Sequence, residues 1–184
     1  KSLDYMKMLT SDKNVISNFI QGERWKHLLQ FFDVGQIVIP LFVYFDDFEC
    51  GNPLGSHSGV NKLGAVYYSI PCIPPELQAK LEYRFLATIF KSSDRKEFGT
   101  KIVFQHIIEE LNFLRTTGIS VELDGIEPIT VFFQLGALIG DNLGQNQLLG
   151  FVESFSANYC CRLCRVPKHI RNGLSFEQVE HLRI

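Results

Sequence analysis

Acidic residues end two of the most apolar stretches of this sequence. Asp46 and Asp47 follow the run 41–45, and Asp141 follows the run 129–139. Such runs predict central strands covered on both faces, where an uncompensated carboxylate is costly. If the two strands are parallel neighbours, Asp46 and Asp141 meet at their carboxyl ends, where open α/β sheets bind ligands. Two carboxylates there repel each other unless a shared proton or a cation compensates, and a hard divalent cation such as Mg²⁺ or Mn²⁺ is the natural choice.

The five cysteines include one tight group, Cys160, Cys161 and Cys164. An odd number of unevenly spaced cysteines predicts reduced thiols and one cluster with the spacing of metal ligands, rather than a disulfide framework. Cys161 and Cys164 have zinc-ligand spacing, but one pair supplies only half of a tetrahedral site. His169 and His181 are the histidines that follow it. The alternative interpretation is two reduced cysteines in a turn.

Length and composition predict one globular domain with a full core, because 46% of the 184 residues are hydrophobic and 12% are aromatic. No apolar run reaches about 18 residues and no signal peptide is present, so we expect no membrane partner and an intracellular protein. The chain starts at Lys1 and stops within a helical pattern, which suggests a piece of a longer protein.

Charge is unevenly distributed along the chain. The net charge of −2 argues against a surface that coats nucleic acid in general. The segment from Cys160 onward nevertheless carries +3, against −5 for the remainder. We therefore expect this segment to face a polyanion, although a solvated surface is the commoner meaning of a basic run. The candidate nucleic-acid-binding residues are Arg162, Arg165, Lys168 and Arg171.

The order of elements predicts an α/β fold. Apolar runs predict strands at 37–46, 62–70, 83–91 and 130–140, with a helix at about 96–116 before the last strand. Two hairpins and a right-handed crossover give a mixed sheet of order 3-2-1-4 with flanking helices, which is the order of an RNase H-like domain. The predicted parts are a helical lead-in (1–36), the core (37–158), in which an amphipathic stretch covers 148–155, and a cysteine-containing segment (159–184).

Several motifs together resemble a known family. They are Tyr44-Phe-Asp-Asp-Phe-Glu, Asn52-Pro-Leu-Gly-Ser, Gly140-Asp-Asn-Leu-Gly, Gly150-Phe-Val-Glu-Ser-Phe and Cys161-Arg-Leu-Cys-Arg. The chain resembles transposase-derived proteins of animal genomes that are similar to DDE-type transposases with an RNase H-like core. The similarity covers roughly residues 15–181.

The resemblance implies roles for particular residues. Asp46 matches the first catalytic aspartate and Asp141 the second, with Asp47 as the substitute for Asp46. The third acidic residue of such sites lies on a later helix, and Glu177 and Glu180 lie too close to the cysteine pair to match it well. The resemblance also favours His181 as a zinc ligand beside Cys161 and Cys164, with a fourth ligand beyond Ile184.

The implied activity is Mg²⁺-dependent DNA cleavage and strand transfer, in which paired metal ions activate the attacking group and stabilise the leaving oxygen. The implied partners are transposon-end and target DNA and, in the full-length protein, further copies of itself, in the nucleus. We expect this fragment alone to be inactive. A catalytically inactive module that binds DNA or protein is the alternative. A nucleotide-phosphate loop at 136–144 is disfavoured, because it lacks the required glycine pattern and a lysine.

Overall fold

The structure, a computed structural model, describes residues 2–12, 14–51, 61–123, 125–176 and 178–183. The Asn52-Pro-Leu-Gly-Ser motif and Glu177 therefore lie outside the described residues. The chain divides into two compact units, Lys1–Ile139 and Gly140–Ile184. In the described part of the chain, no helix has the length and apolar character needed to cross a bilayer.

The first unit contains the five strands that the structure describes. Its elements are α1 (Ser2–Ser11), α2 (Glu23–Leu29), β1 (Ile37–Glu49), β2 (Lys62–Ser69), α3 (Pro75–Gln78), β3 (Arg84–Lys91), α4 (Ser92–Phe98), α5 (Thr100–Thr116), β4 (Ile119–Leu123) and β5 (Ile126–Ile139). The second unit contains α6 (Asn142–Leu149) and α7 (Lys168–Arg171). Short 3-10 turns occupy Phe19–Gln21, Leu81–Tyr83 and Val179–His181.

The sheet is mixed and has the order β3-β2-β1-β5-β4. β1 pairs in parallel with β5, and the other neighbours pair antiparallel. The predicted α/β class with flanking helices is confirmed, as is the contact between strands 37–46 and 130–140. The predicted order 3-2-1-4 is incomplete, because β4 adds a strand at the edge beyond β5.

Gly118 explains why a strand can follow α5 so closely. Its φ of +69° suits glycine, and a Cβ there would lie 2.7 Å from the carbonyl oxygen of Val131 on β5. Only glycine lets the chain turn this close to the sheet. The sequence identified Gly118 as the helix terminator, but β4 was not predicted, because its five residues alternate in polarity and form no continuous apolar run.

The two faces of β1 pack against different helices. Phe45 lies edge-on to Phe104 of α5, with ring centroids 5.6 Å apart. Phe42, on the opposite face, meets Phe19 at 5.1 Å. The even-numbered face continues into a cluster that includes Trp25, which is 2% exposed. Full burial of one such side chain contributes about 1.5–3 kcal/mol, so both faces anchor the central strand.

A β-bulge interrupts the pairing of β1 with β5. Leu41 pairs with Leu135, but the next residue, Phe42, pairs with Ala137, so Gly136 is the extra residue. A Cβ at Gly136 would lie 2.8 Å from the Phe19 ring, which explains why this position is glycine. The bulge lets aromatic side chains from the lead-in approach the sheet closely.

One predicted helix and one predicted amphipathic stretch differ from the structure. The helix predicted at 96–116 is two helices, because Gly99 adopts a φ of +85° and separates α4 from α5. The amphipathic stretch predicted at 148–155 is not one helix. Gly150 ends α6 in the left-handed conformation, and Val152 and Phe155 are exposed beyond it. In both places a glycine with positive φ overrides the hydrophobic spacing.

Candidate functional site

Asp46 lies inside β1, opposite Ala65 of β2. The strand continues to Glu49, so the acidic residues do not follow the strand as the sequence suggested. Side chains alternate between faces, which places Tyr44 and Asp46 on the same side. The Tyr44 hydroxyl donates to Asp46 Oδ2 at 3.3 Å. The half-buried Asp46 carboxylate is therefore oriented by one neighbour, and in the described chain its Oδ1 accepts no hydrogen bond.

Asp47 points to the opposite face and has protein partners. The Ser92 hydroxyl donates to Asp47 Oδ1 at 2.8 Å, and Arg95 Nη2 lies 3.7 Å from Oδ2. The side chains of Arg95 and Asp47 are only 6% and 14% exposed. A buried carboxylate that faces a guanidinium needs no metal ion for compensation. Asp47 thus stabilises the packing of α4 against the sheet, and no sequence pattern indicated Arg95 as its partner.

Asp141 is the N-cap of α6. Its Oδ1 accepts a hydrogen bond from the Gly144 N–H at 2.6 Å, and the residue is exposed. A carboxylate at a helix N-terminus is stabilised by the free N–H groups and the helix dipole. The expectation that Asp141 is costly without a cation is therefore wrong, because the helix itself provides compensation. Its Oδ2 has no hydrogen-bond partner in the described chain.

The pairing of β1 with β5 shows which strand residues precede Asp46 and Asp141. Tyr44 pairs with Ile139, the last residue of β5. Asp46 and Asp141 each follow that pair by two residues in sequence. β1 and β5 are therefore parallel neighbours, as the sequence predicted, but their pairing stops at Tyr44 and Ile139 while β1 continues to Glu49.

Cys161 and Cys164 form a tight turn in the second unit. The Leu163 N–H donates to Cys161 Sγ at 3.3 Å, and the two thiols hydrogen-bond to each other. Partial burial raises the pKa of Cys161, but the Leu163 N–H, the Cys164 thiol and the Arg162 charge outweigh it, so the net pKa lies below the usual value. The Val166 N–H lowers the pKa of Cys164, but partial burial and the neighbouring Cys161 outweigh it and leave the net pKa raised. Cys161 is the more readily ionised thiol.

A short backbone pairing closes this turn against the end of the chain. Cys164 and Leu182 form an antiparallel bridge, and the Arg165 N–H donates to the His181 carbonyl at 2.7 Å. Arg183 Nε donates to the carbonyl oxygens of Cys161 and Cys164 at 3.1 and 3.2 Å. Arg183 was not predicted, because nothing in the local pattern links it to cysteines about 20 residues earlier.

The structure brings the two thiols together, but no third metal-ligating side chain joins them among the residues that it describes. Within the described ranges, no three His, Cys, Asp or Glu side chains are grouped closely enough to hold a metal ion. The His181 backbone lies beside the cysteine turn. Glu180 is exposed in the same 3-10 turn. All five cysteines are free thiols.

The four predicted basic residues divide into two kinds. Arg162 donates to Asn142 Oδ1 at 2.7 Å, and Arg171 donates to Cys160 Sγ at 2.8 Å, so both stabilise the second unit. Arg165 and Lys168 are exposed, with no ion pair to any described residue. These two side chains remain available for an anionic partner.

No protein-family model matches this chain, and no curated protein matches it significantly. Function therefore has to be inferred from the residues themselves. The half-buried Asp46, the capping Asp141 and the paired thiols are the groups whose chemistry suits cations. Arg165 and Lys168 suit an anion.

Proposed function

We propose that this chain is the RNase H-like core of a DDE-type transposase, or of a domesticated descendant. In this proposal Asp46 and Asp141 bind Mg²⁺ or Mn²⁺ for DNA cleavage and strand transfer. The parallel pairing of β1 with β5 in the centre of the sheet carries the proposal, because a parallel central pair flanked by antiparallel strands is what an RNase H-like core requires. The antiparallel edge strand β4 is an addition to the order that the sequence predicted.

The carboxylates fit a hard cation to different degrees. Asp46 keeps Oδ1 available while Tyr44 holds Oδ2, and Asp141 keeps Oδ2 available while α6 holds Oδ1. Asp47 fits poorly, because Ser92 and Arg95 occupy both of its oxygens. A bound divalent ion supplies activation of the attacking water or 3′-hydroxyl and stabilises the leaving oxygen. The protein contributes two preoriented carboxylates, which suit weak cation binding.

In this proposal the second unit provides a zinc site and contacts to DNA. Cys161 and Cys164 would supply two Zn²⁺ ligands and His181 a third, and Arg165 and Lys168 would contact the DNA backbone. This function implies transposon-end and target DNA as partners, homo-oligomers of the full-length protein, and a nuclear location.

A second candidate function is a catalytically inactive module that binds DNA or protein. It is favoured by the structural roles of Asp47 in an ion pair and Asp141 in a helix cap. It is also favoured by the absence, in the described part of the chain, of three grouped metal-ligating side chains. The same fold would then serve only to present a surface.

Titration with Mn²⁺, followed by the loss of its free electron-spin signal, tests the metal site. We expect weak binding that Asp46→Asn and Asp141→Asn each weaken about tenfold or more, since even outer-shell changes cost 10–100-fold. Asparagine is also a good N-cap, so Asp141→Asn preserves α6. The matched control is Asp33→Asn, which removes an exposed carboxylate just before β1 and should leave Mn²⁺ binding unchanged.

Unchanged Mn²⁺ binding in both variants would refute the metal site and make the binding module the leading function. A supercoiled-plasmid assay belongs beside the titration. We expect no cleavage by this chain alone, because two carboxylates fix a pair of metal ions poorly.

A further inference from the structure

A cavity of about 350 Å³ opens in the first unit beside the start of β3. It lies among the lead-in, the middle of β1, the ends of β2 and β5, and α3. Its volume is within the range of about 300–1,000 Å³ that small-molecule sites occupy. The proposed function uses none of its lining residues. The lining residues that could contact a ligand by stacking, hydrogen bonding or charge are Phe19, Phe42, Ser69, Gln78, Tyr83 and Arg84.

The walls of the cavity include flat apolar surfaces. Phe19 and Phe42 meet edge to face, with ring centroids 5.1 Å apart and an angle of 79°. Both rings are only partly buried and both line the cavity. Tyr83 adds a third aromatic side chain at the start of β3. Such surfaces suit a planar ring, because aromatic stacking is favourable for every base type.

Arg84 gives the cavity its charge. It is the one charged residue among the described lining, and no described carboxylate lies within ion-pair distance of it. It stands opposite Ser69 on the neighbouring strand, so a hydroxyl lies on the same face. An unpaired guanidinium at the mouth of a cavity favours a carboxylate or phosphate ligand.

Gln78 contributes a fixed hydrogen-bond acceptor. Its amide nitrogen donates to the carbonyl oxygens of Pro71 at 3.3 Å and Ile73 at 2.7 Å. Both N–H groups are thereby committed to the backbone, which sets the orientation of the amide. Its Oε1 has no donor in the described chain and is left to accept an N–H from a ligand.

The cavity also lies on the same face of the sheet as Asp46. Phe42 precedes Asp46 by four residues on β1, and side chains of equal parity share a face. Four residues of strand span about 13 Å. A DNA strand held at Asp46 could therefore reach the cavity within a few nucleotides.

We propose that this cavity binds a single nucleotide. The base lies against Phe19 and Phe42, an N–H of the base donates to Gln78 Oε1, and the phosphate pairs with Arg84. The nucleotide is either an unpaired residue of DNA or a free monophosphate. The DNA source rests on the proposed function, whereas the nucleotide chemistry does not.

Calorimetric titration with deoxyadenosine and deoxyadenosine monophosphate tests the chemistry. The wild-type protein should bind the monophosphate about tenfold or more tightly than the nucleoside, as expected for one charge-assisted hydrogen bond. Arg84→Gln should abolish that preference, and Arg84→Glu should reverse it. Arg24→Gln removes an exposed charge outside the cavity and should leave the preference intact. The emission of Trp25 checks that each variant is folded.

Loss of the preference in Arg84→Gln together with its retention in Arg24→Gln supports the proposal. Failure to bind either ligand, or the same preference in Arg84→Gln as in the wild type, overturns it.

A second arm identifies the source and separates this proposal from the metal site. A duplex with one unpaired adenosine is compared with the fully paired duplex and with the monophosphate. Tighter binding of the bulged duplex than of both others identifies DNA as the source, whereas preference for the monophosphate identifies a free nucleotide. Asp46→Asn should leave binding of the monophosphate unchanged, so failure of the metal site would not remove nucleotide binding. Loss of monophosphate binding in a folded Asp46→Asn variant would contradict the assignment of the ligand to this cavity.

Discussion

Two adjacent carboxylates on β1 have different chemical environments because they point to opposite faces of the sheet. Asp47 faces Ser92 and Arg95 under α4, whereas Asp46 meets the Tyr44 hydroxyl on the other side. The helix-facing carboxylate is compensated by protein groups. The other carboxylate keeps an oxygen available to a ligand. Sequence position alone could not distinguish them, since Arg95 is 48 positions from Asp47.

This difference predicts unequal effects of the same substitution at neighbouring positions. Asp47→Asn should lower the free energy of unfolding by about 3 kcal/mol, because it removes the buried carboxylate that faces Arg95. Asp46→Asn should change it by less than about 0.5 kcal/mol, as is usual away from buried networks. Urea unfolding followed by the emission of Trp25, the one tryptophan and 2% exposed, measures both. Equal losses in the two variants would show that Asp47 has no special structural role.

At the scale of elements, the cysteine turn is held by hydrogen bonds within the second unit. The Leu163 N–H donates to Cys161 Sγ, and Arg183 donates to the carbonyl oxygens of both cysteines. Donors aimed at a sulfur stabilise its thiolate, which is the form that binds metal ions. A turn of this kind could bind Zn²⁺ with few rearrangements of its own backbone.

Alkylation mapping can decide between a zinc ligand pair and two reduced cysteines. At pH 7 iodoacetamide should modify Cys161 before Cys164, because the pKa of Cys161 is lowered and that of Cys164 is raised. Added Zn²⁺ should protect both thiols, while the exposed Cys50 serves as the internal control and continues to react. If Zn²⁺ protects neither thiol, the pair is structural and the zinc proposal fails.

Some secondary-structure elements could be predicted from the sequence and others could not. Long apolar runs between prolines and glycines identified β1, β2, β3 and β5, and hairpin geometry gave their order. β4 was not predicted because it is short and half polar. The separation of α4 from α5 was not predicted because Gly99 lies within a continuous helical pattern. Two partners were not predicted because they are distant in sequence: Ser92 lies 45 positions from Asp47, and Arg183 lies 19 positions from Cys164. Asp141, by contrast, shows the N-cap signature in the sequence, since it directly precedes α6.

At the scale of the whole molecule, stability at alkaline pH depends on two groups in the first unit. Burial raises the pKa of Cys72 to about 12. Burial and, secondarily, the charge of Glu110 raise the pKa of Tyr68 to about 12. Each folded pKa exceeds the unfolded value of 9.0 or 10.0, so unfolding releases protons above those values. Their contribution is fully present below pH 9 and is lost as the pH rises toward 12.

We therefore expect the urea midpoint reported by Trp25 to fall steadily between about pH 9 and pH 12. Tyr68→Phe should flatten the part of this fall above pH 10. It should not destabilise the protein at pH 7, because the buried Tyr68 hydroxyl has no hydrogen-bond partner among the described residues. Ile102→Val, an exposed change that removes no titratable group, is the control and should keep the wild-type slope. An unchanged slope in Tyr68→Phe would contradict the assignment.

The bulge at Gly136 also bears on how this chain can change through mutation. A point substitution there only crowds Phe19 and Phe42. An in-frame loss of the Gly136 codon would instead remove the extra residue and join Leu135 directly to Ala137, whose partners Leu41 and Phe42 are already adjacent on β1. Leu138 and Ile139 would keep their partners and their sides of the sheet. A single-codon deletion at this position should therefore be better tolerated than one elsewhere in the paired parts of β1 or β5, where a one-residue slip moves the following side chains to the opposite face.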